Sequence, residues 1–348
     1  MAAKSELQMK RISEIAPNSP ALDGIGQIGM GTWALGGPFF AGPGWTMEEG
    51  HPLGYGESDD RAASQAIQAA IAHGVKLFDT ADAYGTGHAE EVLGAAIKGR
   101  RDQVVLATKF GNVLDPQNRQ LVGLDASPDY LRAACEASLR RLGTDYIDLY
   151  QLHIGDLDIS AAQRTAETLQ ALCDEGKIRS FGWSTDDAER ARSWMAYAGC
   201  QAVQFDFNLF ANNREMVELV AASGRVGLNR TPLAMGFLSG KYTKSSQLPA
   251  DDIRSRPPAS WLPYFKAGGG AAETWEDRLN SIVEILRSDG RTPAQGALAW
   301  IWAQSECCVP IPGVRTVAQA EENFSALEYG PLTPEQVREI ELLLTCHR

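Results

Sequence analysis

Asp79 and Tyr84 lie five residues apart at the end of an apolar run, in the stretch LFDTADAYGTG. A phenol serves as a general acid near neutral pH only if its anion is stabilised, and an ammonium held by a carboxylate does that. Two more groups of suitable type follow, Lys109 after VVLAT and His153 after DLYQL. Lys109, oriented by Asp79, would stabilise the Tyr84 phenolate, while His153 would donate a hydrogen bond to a carbonyl oxygen. Singly, each has a plain role as turn, surface or core residue. All four, however, stand at or just beyond the ends of strand-like runs, as does Ser184 after IRSFGW, and that shared position points to one site.

Such residues meet only if the scaffold gathers the ends of successive strands. From GQIGMGTW onward, strand signals alternate with helical ones. The helix over 59–73 places Ala63, Ile67, Ala70 and Ile71 on one face, and the helix opened by Ser127 and Pro128 closes at Gly143. After a short hairpin expected within residues 9–30, eight strand signals, each followed by a helix or helix pair, fit a closed (β/α)8 TIM barrel of α/β class. The expectation is a single domain over residues 1–348. Two long loops, 35–57 and 243–270, are too rich in Gly, Pro and Ser for regular elements and would shape the mouth. A doubly wound sheet competes, but its fingerprints fail: in the stretch GTGHAE, Glu90 stands where the third glycine belongs, and GFLSGK is one residue short of a phosphate loop.

Composition narrows the partners. A net charge of −12 over 348 residues repels phosphate backbones and anionic membranes, so no nucleic-acid or membrane role is expected. An anionic cofactor would need local basic residues. No secretion signal or membrane-length apolar run is present, and the cysteines form no CxxC pair, which suits a cytoplasmic protein with reduced thiols. Asn229 and Asn323 match the glycosylation pattern only by chance on that reading. His51, His73, His88 and His347 are read as structural, and no metal site is expected.

The motifs together are more specific than any one of them. FDTADAYGTGHAEEVLG, ATKFG and SLRRLGTDYIDLYQLH resemble the aldo-keto reductases, with similarity running from about Ile25 to Leu327 and strongest to the larger bacterial members. The resemblance implies a catalytic tetrad of Asp79, Tyr84, Lys109 and His153, with Trp33 joining Tyr84 and His153 on the substrate side. It also implies NADPH as cofactor, with NADH less favoured. Thr32, Trp33 and Asp79 would face that cofactor from the first strand ends. Ser184 and Gln204 match positions that bind the nicotinamide carboxamide, with Thr185 where an Asn is common. Arg230 stands where many members stack an aromatic ring; its guanidinium can stack in turn or pair with an acid. TPLAMGFLSGKY resembles the diphosphate-holding loop, through Leu233, Gly236, Leu238 and Lys241. PIPGVRTVAQAEENFSAL resembles the adenosine-phosphate segment, through Gly313, Arg315, Gln319 and Asn323, with Arg315 as the main partner for a 2′-phosphate.

The function expected is NADPH-dependent interconversion of an aldehyde or ketone with its alcohol, Tyr84 acting as general acid or base on a small-molecule substrate. Loop aromatics Phe39, Phe40, Trp45, Trp261, Tyr264 and Phe265 would either wall the substrate site or anchor the loops. The alternatives are a cofactor-binding accessory or sensing subunit with slow chemistry, and a metal-dependent barrel hydrolase.

Overall fold

The computed structural model describes residues 11–258 and 260–346; His347 therefore lies outside the described residues. Eight parallel strands form the barrel: β1 Gly29–Gly31, β2 Leu77–Asp79, β3 Val105–Phe110, β4 Ile147–Leu152, β5 Ile178–Ser184, β6 Cys200–Asp206, β7 Val226–Arg230 and β8 Cys308–Pro310. Each pairs with its sequence neighbour. The ring closes where Gly31 bridges Gly313 and donates its N–H to the Pro312 carbonyl at 3.1 Å.

Period-two alternation sorts the side chains along each strand. Leu77, Ala107, Leu149, Ala202, Leu228 and Val309 pack inside the ring, whereas Phe78, Leu106, Tyr150, Phe181, Val203 and Phe205 face the helices. Two residues further along, the inward face carries Asp79, Lys109, Gln151 and Gln204, and His153 follows just past β4. An apolar plug thus supports a polar layer at the carboxyl end. Helix starts are set locally: Asp59, Ser127, Asp158, Asp187 and Asn213 each accept a first-turn N–H, a contribution of roughly 1 kcal/mol apiece. No helix among the described residues is long and apolar enough to cross a membrane.

The expected amino-terminal hairpin is replaced by a helical turn, Ile12–Ile15, and a 3₁₀ turn, Pro20–Leu22. Pro17 and Pro20 lack the N–H a strand ladder needs. Instead Ile12, Ala16, Leu22 and Ile25 close the bottom of the barrel, and Ser19 donates to the Gln201 carbonyl at 2.5 Å. A hairpin does occur elsewhere, at the mouth. Asn112–Asp115 pairs antiparallel with Gln120–Leu124, and Phe40–Ala41 adds alongside the latter. The loop over residues 35–57 is therefore partly ordered by sheet pairing. It also meets the second long loop, through a Tyr55–Asp252 bridge and an Ile253 N–H to Gly54 carbonyl bond of 2.8 Å.

Candidate active site

Tyr84 is aimed by a tight contact between two glycines. Its turn, Tyr84–Gly87, has Gly85 at φ +60°, and a Cβ there would lie 1.9 Å from the Gly36 carbonyl oxygen. Only glycine allows this approach. The phenol ring then stacks on Trp33, with centroids 5.7 Å apart and planes 14° off parallel.

Lys109 is fully buried, and its ammonium has three acceptors: Asp79 Oδ2 at 2.6 Å, the Thr80 carbonyl at 2.8 Å and Tyr84 Oη at 3.2 Å. Burial alone would lower its pKa, but Asp79 and Tyr84 together outweigh that and hold it above the ordinary lysine value. The other carboxylate oxygen of Asp79 accepts from Gln151 Nε2 at 3.1 Å and Gln204 Nε2 at 2.8 Å. The carboxylate is thus satisfied on both sides.

Burial raises the Tyr84 pKa, and the Lys109 charge only partly offsets it, so the phenol keeps its proton at neutral pH. His153 stands edge-on to Tyr84, with centroids 5.9 Å apart. Burial, then the charges of Lys109 and Arg230, push its pKa well below the usual value, so the imidazole is neutral. A protonated phenol beside an ammonium, with a neutral imidazole next to it, can deliver a proton to a carbonyl oxygen and help polarise it.

These groups open onto a cavity of about 1500 Å³. Thr32, Trp33, Asp79, Tyr84, His153, Ser184, Gln204, Arg230, Leu233, Gly236, Lys241, Gly313, Arg315 and Gln319 all line it. Leu238 and Asn323 do not. Leu238 turns its side chain into the core and spends its N–H on the Leu233 carbonyl at 3.1 Å; Asn323 is buried on its helix. Arg230 pairs with Asp186, at 2.5 and 3.2 Å, as an arginine with a nearby acid does. Thr185 donates to the Gly155 carbonyl at 2.6 Å. Arg315 donates to the Tyr55 carbonyl at 2.9 Å and also to the Glu57 carbonyl, tying the first loop to the cavity's far end.

The loop aromatics divide. Phe39, Trp45 and Trp261 face the cavity, joined by Tyr55, whose ring meets Trp33 edge-on at 5.2 Å. Tyr264 and Phe265 are loop anchors packed against Phe237, and Phe40 does not line the cavity. Gln151 escaped the sequence reading, although its signal was there: it sits two residues before His153 and in register with Lys109. Asn112 was also missed; its side chain lies between Trp45 and His153. Asn229 and Asn323 are buried and unavailable to glycosylation. Among the described residues no group of three or more His, Cys, Asp or Glu could hold a metal ion.

Residues 27–344 match the family model described as the aldo/keto reductase family. An aldo-keto reductase, YhdN, from Bacillus subtilis (strain 168) is 34% identical over 325 residues, covering 91% of this chain and 89% of that protein. The glycerol dehydrogenase AKR11B4 from Gluconobacter oxydans aligns structurally with a TM-score of 0.75 at 28% identity, over 93% of this chain and 92% of its own. An aldo-keto reductase from Klebsiella pneumoniae, solved with NADPH, aligns with a TM-score of 0.63 at 27% identity, over 92% of this chain and 91% of its own.

Proposed function

The chain belongs to the aldo/keto reductase family, and from that premise we propose that it is an NADPH-dependent reductase interconverting a carbonyl compound and its alcohol, with Tyr84 as the proton donor. The observation that carries this reading is the Lys109 ammonium, held 2.6 Å from Asp79 and 3.2 Å from the Tyr84 hydroxyl.

The donor set along the cavity fits a dinucleotide. Ser184 and Gln204 would meet the carboxamide, Gly236 and Lys241 the diphosphate, and Arg315 with Gln319 the adenosine phosphate. Lys241 and Arg315 bring the local positive charge that a chain of net charge −12 needs for an anionic ligand. When bound, NADPH supplies the hydride.

The chain's own residues handle the proton and the developing charge. His153 and Tyr84 orient the carbonyl oxygen, and Tyr84 gives up its proton as negative charge grows there. Lys109, kept charged by Asp79, stabilises the phenolate left behind, while Gln151 and Gln204 hold Asp79 in place. In the alcohol-oxidising direction the same phenolate would take the proton back. Trp33, Phe39, Trp45, Leu53 and Trp261 wall the substrate end, which supports a bulky, partly apolar carbonyl compound or a sugar lying on a ring face. Cys135, Cys173, Cys200, Cys307 and Cys308 are free thiols, which suits work in the reducing cytoplasm.

The test is NADPH consumption against a panel of aromatic aldehydes, steroid-like ketones, sugars and small dicarbonyls. Turnover is expected, with kcat/KM highest for the bulky and ring-bearing members. Tight NADPH binding without turnover across the panel would overturn the reductase reading.

A further inference from the structure

Asn112 opens the mouth hairpin three residues after Lys109, and the residue is buried, at 4% exposure. The Trp45 indole N–H meets Asn112 Oδ1 at 3.1 Å. An indole nitrogen only donates, so this contact identifies which end of the amide is oxygen. The amide nitrogen, Nδ2, therefore faces His153, at 3.4 Å from Nδ1. It too only donates. His153 Nδ1 must then be the acceptor, and in a neutral imidazole the proton sits on Nε2.

The surroundings make this choice matter. The charged and titratable groups around His153 are Tyr84 on the turn after β2, Lys109 on β3 and Arg230 on β7. Both cations disfavour imidazolium, so the ring is left with a choice between two neutral tautomers. Among the described residues Asn112 makes the only side-chain hydrogen bond to the ring. Asn112 is itself held, because its backbone carbonyl accepts from the Tyr130 hydroxyl, and Trp45 fixes the side-chain amide.

We propose that Trp45 and Asn112 are positioning residues that set His153 in the Nε2–H tautomer, leaving an N–H free to donate to the substrate oxygen. Through Trp45, the loop over residues 35–57 thereby governs the donor as well as walling the pocket. The effect on turnover rests on the carbonyl-reductase reading, whereas the tautomer does not.

The test records imidazole nitrogen resonances of the full-length ¹⁵N-labelled protein at neutral pH, with His153 assigned from the signals lost in His153→Gln. In the wild type, Nε2 is expected as the protonated nitrogen and Nδ1 as the bare one. Asn112→Asp replaces the donor with an acceptor, so Nδ1 should gain a proton. Its kcat should fall about 10²-fold at pH 8, the scale for losing one donor to an oxyanion. It should then recover as pH is lowered and imidazolium restores the Nε2 proton, a rise the wild type lacks. NADPH affinity should stay unchanged. Trp45→Phe, which frees the amide to flip, should give a mixture of tautomers. A wild-type His153 protonated at Nδ1, or Asn112→Asp with unchanged nitrogen shifts, would overturn the proposal. The nitrogen shifts decide the tautomer even if the wild type reduces no carbonyl.

Discussion

Replacing Lys109 by Met should expose how much of this site is an ion pair held against the cost of burial. The methionine keeps the volume and removes the one ammonium that touches both Asp79 and Tyr84. Leaving a buried charge without its partner costs about 3–5 kcal/mol. Gln151 and Gln204 still donate to Asp79, so the lower end, about 3 kcal/mol, is expected. Turnover should fall further than stability, by about 10³-fold or more, because the phenolate loses its counter-charge as well. The assay pairs urea unfolding with NADPH-coupled turnover, for Lys109→Met, Asp79→Asn and the double variant. The double variant carries no unpaired charge and should regain most of the lost stability while staying inactive. If Lys109→Met lies within about 1 kcal/mol of wild type, or if the double variant is no more stable than Lys109→Met, the buried-pair reasoning fails.

Further outcomes follow from the same physics. Because Tyr84 is shifted upward from 10, its phenol stays protonated through pH 9, and carbonyl reduction should hold a flat kcat/KM to that point; a loss centred near pH 7 to 8 would contradict this. Asp82 is buried with Oδ1 unpartnered beside Glu90. Burial first, then that neighbouring charge, holds its carboxyl well above the usual range. Its contribution is complete below the unfolded value of 3.8 and is lost as pH rises toward the folded one. Asp82→Asn should therefore gain in Tm over wild type between pH 4 and 8, and a pH-independent difference would refute this. Arg315→Ala should raise KM for NADPH by about 10-fold or more, the scale of a lost charge-assisted hydrogen bond, while leaving KM for NADH nearly unchanged. Equal effects on both would mean that Arg315 only anchors the loop at Tyr55 and Glu57.

Much of the site was legible because barrel strands impose a period of two and a fixed direction. Asp79, Lys109 and His153 each end an apolar run, and the ring brings such ends together whatever their separation in sequence. Ser127 with Pro128, and Gly143 at positive φ, marked their helix correctly because capping is local. What the sequence left hidden lay in short or irregular segments. The mouth hairpin, Asn112–Asp115 with Gln120–Leu124, turns on a segment whose strands are too short to stand out, although Asp115, Pro116 and Asn118 between alternating residues were its turn signal. Trp261 and Tyr264 are three residues apart on one loop, yet one faces the cavity and the other the core, since irregular backbone has no period to sort them. Leu238 and Asn323 were inferred from motif position, which fixes where the chain runs but not which way a side chain turns.

The most direct measurement is single-turnover reduction by Tyr84→Phe with NADPH already bound, on whichever carbonyl the wild type turns over best. The phenylalanine keeps the ring on Trp33 and removes only the hydroxyl that Lys109 touches. Unchanged NADPH affinity with hydride transfer slowed by about 10²-fold or more, the lower bound for a lost general acid, is the expected result. Near-wild-type hydride transfer in Tyr84→Phe would contradict the assignment of Tyr84 as the proton donor.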